Sequence, residues 1–195
     1  MINNHNQQLL AAAESGHTET VALLLEKGAD IEAVSQYSST ALHYAAKNGH
    51  TDTVALLLDR GANIAAVNQY GNTALHYAAR YGRTDTVALL LKKGADISAS
   101  NQNGVIALHE AAFNGQSGTV ELLLDRGSNI DAAEEAAGPY GWTALHYAAL
   151  NGHQKTVALL LKKGADIEVQ TQGGRTALHI AAQNGCTDTV AFLLD

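Results

Sequence analysis

The chain repeats itself, and the period of that repetition decides what it can fold into. The tetrad Thr40-Ala41-Leu42-His43 returns at Thr73 to His76, Thr143 to His146 and Thr176 to His179, and with one change at Ile106 to His109. Three of the intervals are 33 residues; the one from Ile106 to Thr143 is 37, which marks a four-residue insertion. A segment this short cannot bury its own apolar face, so neighbouring copies must stack, each covering the next.

Each copy carries the same physical instructions. Thr40 precedes an apolar-periodic run and reads as a helix N-cap, and Gly49 ends a short first helix. Val54, Leu57 and Leu58 then give the i, i+3, i+4 stripe of a second helix, closed by Gly61. The unit is two antiparallel helices and a turn. Composition agrees: 46% of the residues are apolar, with one Pro, one Trp and two Phe, which suits close-packed helices better than a large sheet.

This layout, with its 33-residue period and T-A-L-H tetrad, resembles the ankyrin family, whose usual signature is T-P-L-H. The resemblance covers essentially the whole chain and implies an all-α fold: an ankyrin-repeat solenoid of helix-turn-helix pairs with β-hairpin-like fingers. Splitting at the finger tips gives one repeat domain over 1–195, with repeats 1–34, 35–67, 68–100, 101–137, 138–170 and 171–195, the last incomplete. The first repeat lacks the tetrad, and its Asn and Gln residues read as a polar cap. The final repeat shows no such substitutions, so its stack end reads as unprotected, as in a fragment cut from a larger multidomain protein.

Several function classes are disfavoured. The net charge of -7 and the lack of a basic stripe argue against nucleic acid; Lys92-Lys93 and Lys162-Lys163 read as helix-end residues that offset the helix dipole. One cysteine, Cys186, excludes an intrachain disulfide, and no apolar run approaches the roughly 20 residues of a membrane span. An intracellular, cytoplasmic setting follows as the expectation.

No catalytic residue, metal site or cofactor is expected. The nine histidines are mostly repeat positions: His43, His76, His109, His146 and His179 in the tetrad, and His17, His50 and His153 after the first-helix Gly. The resemblance implies that the tetrad His ties its Thr to the neighbouring loop. Equivalent histidines on helices about 8 to 10 Å apart cannot share one zinc, whose bonds to nitrogen are about 2 Å.

Function is therefore sought where the copies disagree. In ankyrin arrays these positions are the finger tips and the outer face of the first helix. They give candidate partner-binding residues Tyr37, Tyr70, Asn103 and Tyr140 on the tips, then Val105, Trp142 and Arg175. On the first helices they give Arg80, Tyr81, Glu110, Phe113, Tyr147 and Leu150. All seven tyrosines fall on tips or first helices, and Tyr, Trp and Arg are the types enriched in binding hot spots. Tyr44, Tyr77 and Tyr147 are as well explained by packing. The fourth repeat departs most, with Ile106 in place of the capping Thr. The insertion after it holds the only Pro and the only Trp, which predicts a short helical turn or an enlarged finger, with Trp142 either exposed as a binding centre or packed against the inserted residues.

The expected function is a non-catalytic protein-interaction module that binds a partner protein or extended peptide on this concave surface, as a monomer. The alternatives are a scaffold that self-associates through its C-terminal stack end or its fingers, and a small-molecule sensor. A sensor requires a closed pocket that an open stack does not readily offer.

Overall fold

The computed structural model describes residues 4–134 and 141–195. Among these residues the chain is helical, with twelve helices in six pairs and no strand. They form two compact bodies, Met1–Asp96 and Ile97–Asp195, each of three repeats.

The first body holds α1 (Asn4–Glu14), α2 (Thr18–Glu26), α3 (Ala41–Asn48), α4 (Thr51–Asp59), α5 (Ala74–Arg80) and α6 (Thr84–Lys92). First helices pack on first helices, α1 on α3 and α3 on α5, while second helices pack on second helices, α2 on α4 and α4 on α6. The alanine pairs make the close approach possible: Ala45, Ala46, Ala78 and Ala79 are wholly buried, with Leu57 and Leu90 of the second helices beneath them. Leu58 of the expected stripe is only half-buried.

The second body repeats the plan with α7 (Ala107–Phe113), α8 (Ser117–Asp125), α9 (Ala144–Leu150), α10 (Gln154–Lys162), α11 (Ala177–Gln183) and α12 (Thr187–Leu194). Burial falls off at its last pair. Leu145 and Val157 are buried, but the equivalent Leu178 and Val190 are half-buried and Leu194 is 68% exposed.

Two sets of histidines hold the stacks together. The Thr40 backbone N–H donates to His43 Nδ1 at 3.1 Å, so Nδ1 is an acceptor and the ring proton sits on Nε2, which donates to the Asn72 carbonyl of the next repeat at 3.0 Å. His146 bridges Thr143 to the Val169 carbonyl in the same way. Ile106 has no hydroxyl, yet its N–H still reaches His109 Nδ1 at 3.3 Å and α7 forms. The second set works between repeats: His50 Nε2 donates to the Glu14 carbonyl at 3.0 Å and His153 Nε2 to that of Phe113 at 3.0 Å. Gly16 is required there, because a Cβ on it would stand 2.5 Å from the His50 ring.

On the opposite side, cations at the second-helix ends cross to the preceding repeat. Lys93 Nζ meets Asp59 at 2.6 Å, and Lys163 Nζ meets Asp125 at 2.6 Å. These pairs are exposed and add little stability.

The fingers are tight turns, and no strand ladder forms in the described residues. Two backbone bonds close these turns, as from Asn68 N to the Asn72 carbonyl at 3.0 Å and from Gly71 N to the Asn68 carbonyl at 2.9 Å, or from Thr171 N to the Arg175 carbonyl and from Gly174 N to the Thr171 carbonyl, both at 2.9 Å. The side chain of the first finger residue holds the tip: Asn68 Oδ1 accepts from the N–H of Tyr70 and of Asn72, and Asn101 Oδ1 from those of Asn103 and Val105. The enlarged finger closes from Glu134 N to the Trp142 carbonyl at 3.1 Å. Tyr140 and the expected helical turn at the insertion lie outside the described residues.

Candidate functional site

The tips and first helices converge differently in the two bodies. In the first, Tyr37, Ser39, His43, Tyr44, Lys47, Tyr70 and Tyr77 line a groove of about 340 Å³ that spans two successive repeats. Tyr37 and Tyr70 form its rim and are 49% and 52% exposed. Their tips are joined by the Gln69 N–H, which donates to the Tyr37 carbonyl at 3.1 Å.

The floor of the groove is held in place. Tyr77 sets an edge against the His43 ring at 6.0 Å, and its Oη accepts from Asn68 Nδ2 at 2.8 Å. Burial holds His43 below the usual histidine range, so the ring is neutral near pH 7. Lys47 Nζ lies 5.6 Å from the centre of the Tyr81 ring, a cation–π contact at the groove's end. Arg80 is half-buried on the same helical row.

In the second body Tyr147 is the centre of an aromatic cluster. Its ring lies 5.3 Å from Trp142, 5.9 Å from Phe113 and 5.6 Å from His109, and its hydroxyl donates to Glu134 Oε2 at 2.6 Å. Burial, then the Glu134 carboxylate, push the phenol above its ordinary range, so it remains a donor. Glu134 stands where Ser35, Asn68, Asn101 and Thr171 stand in other fingers. Its carboxylate reaches across to the helix and accepts from Tyr147 Oη.

Two expectations need correction here. Trp142 is half-buried against Tyr147 and His146 and does not project freely. Glu110, at the repeat position where Tyr44 and Tyr77 are half-buried, is only 5% exposed and so is not an open contact residue. Phe113 is 40% exposed and Leu150 half-buried beside this cluster. Asn103 is exposed and Val105 half-buried on their finger, while Arg175 Nη1 donates to Gln183 at 2.8 Å on the last repeat.

Sequence reasoning placed Ser39 and Lys47 among the positions that vary between copies but missed Glu134. The signal for Glu134 was present as an acid at a position otherwise held by small neutral residues. It also missed a recess of about 520 Å³ in the second body, lined by Ser98, Ser100, Ile106, Asn129 and Asp131 among others. Ser100 and Ala133 border it at the repeat position that Val34 and Val67 hold in the first body.

Among the described residues no three His, Cys, Asp or Glu are grouped to hold a metal ion, and no helix is long and apolar enough to cross a membrane. A family model for ankyrin repeats in three copies matches residues 9–101, 64–134 and 108–195. No curated protein matches the chain.

Proposed function

The chain belongs to the ankyrin repeat family, whose members generally serve as protein–protein interaction modules and are typically not enzymes; on that premise we propose that it binds a partner protein or extended peptide through its finger tips and first helices. The observation that carries this reading is the groove in the first body. Two half-exposed tyrosines stand on adjacent tips over a floor of two more, which places amphipathic rings of low conformational entropy where a partner can bury them. The Phe113, Trp142, Tyr147 and Leu150 cluster is a second contact area on the same kind of surface.

A photo-crosslinking amino acid placed at Tyr37 or Tyr70 tests this in an extract of the cells that make the protein. It is expected to label a discrete partner, and Tyr37→Ala with Tyr70→Ala is expected to abolish competition by unlabelled protein. Equal labelling from Asp59, on the second-helix side, would refute it. A self-associating scaffold remains the second reading, favoured by the 68% exposure of Leu194 and the half-burial of Leu178 on the last helix pair. A single mass by light scattering at every concentration would remove it.

A further inference from the structure

We propose that the groove of the first body receives an extended acidic segment of the partner, with an apolar side chain between Tyr37 and Tyr70 and its carboxylates directed to Lys47 and the cations beside it. This rests on the interaction reading above and specifies the chemistry of what fills that surface. The groove lining includes one cation, Lys47, and no carboxylate. Arg83 Nε donates to the Lys47 carbonyl at 3.1 Å, which holds a second cationic side chain against the end of α3. Arg80 takes on α5 the place that Lys47 takes on α3.

The other copies have Glu14, Phe113, Leu150 and Gln183 at that place, so basic side chains gather at the first-helix ends of the second and third repeats alone. On the second-helix side of this body Arg60 pairs with Glu26 at 3.7 Å and Lys93 with Asp59 at 2.6 Å. A basic edge beside an aromatic groove is locally complementary to an acidic ligand, while the net charge of -7 repels such a ligand from the rest of the surface and so confines it to this edge. The groove runs across two repeats, so its shape suits a length of extended chain more than a single side chain.

Three fluorescein-labelled peptides of about twelve residues, sharing an apolar centre and carrying Glu, Gln or Lys at the same flanking positions, serve as probes in anisotropy titrations of the full chain. The Glu peptide is expected to bind at least tenfold tighter than the Gln peptide, with the Lys peptide weakest, and added salt is expected to narrow the gap. Lys47→Glu should invert the order. Lys92→Glu, the same charge change at the end of α6, should leave it intact. Tyr37→Ala with Tyr70→Ala should weaken every probe. Equal binding of the Glu and Lys peptides, no binding by any of them, or equal effects of the two charge reversals would overturn the proposal. If crosslinking from Tyr70 still captures a partner in that case, the interaction surface stands and only the acidic ligand falls.

Discussion

Replacing Thr156 by Val should stabilise the protein, while the same change at Thr53 should destabilise it. Both threonines occupy the third position of a second helix and are at most 1% exposed. In the first body each such hydroxyl meets a Thr at the start of the preceding second helix: Thr18 with Thr53 at 2.7 Å, and Thr51 with Thr86 at 2.8 Å. In the second body the preceding helices begin with Ser117 and Gln154, and the hydroxyls of Thr156 and Thr189 are buried without a hydrogen bond. A buried hydroxyl with no partner costs about 1–3 kcal/mol, and Val is nearly isosteric with similar helix propensity. Thr156→Val should therefore gain about 1–2 kcal/mol, or roughly 2–8 °C in Tm for a chain of this size. Thr53→Val deletes a made bond and strands Thr18, for a loss of about 1 kcal/mol. Urea unfolding followed by circular dichroism gives both values. If the two variants lose stability equally, the Thr156 hydroxyl has a partner, such as a bound water, and the argument fails.

Three further outcomes follow from the same contacts. Burial lowers the pKa of His43 and of His146, so the unfolded chain binds more protons below the ordinary histidine value of about 6.5. The stability from these groups is complete above that pH and declines as pH falls through their folded values; a urea midpoint unchanged from about pH 7.5 to 5.5 would contradict this. Cys186 Sγ reaches the Leu150 carbonyl at only 3.7 Å, where His50 and His153 make 3.0 Å bonds. Cys186→His should thus gain about 1 kcal/mol, seen as slower amide exchange in α12. Gly16 and Gly28 both have positive φ, 71° and 84°, but only at Gly16 would a Cβ strike a neighbour. Thermal unfolding should show Gly28→Ala losing about 1 kcal/mol and Gly16→Ala clearly more, with the His50 clasp broken.

The helix pairs and their stops could be read from sequence because they depend on local signals at a fixed period: a capping Thr, an apolar stripe, a Gly with positive φ. The tyrosines of the groove were legible too, as residues that vary while the scaffold does not. What remained hidden depends on side chains about 33 to 40 positions apart. Whether Thr156 finds a hydroxyl, whether His50 reaches Glu14, and whether Lys47 meets the ring of Tyr81 are settled by how one repeat lies on the next. Glu134 and Trp142 show the same limit, since the carboxylate and the indole meet Tyr147 only where finger and first helix lie together. Sequence alone determined a stack of paired helices with aromatic tips. Tertiary structure alone decided which polar groups are matched and where a groove opens, because burial and hydrogen bonding between copies are properties of the stacked chain and of no single repeat.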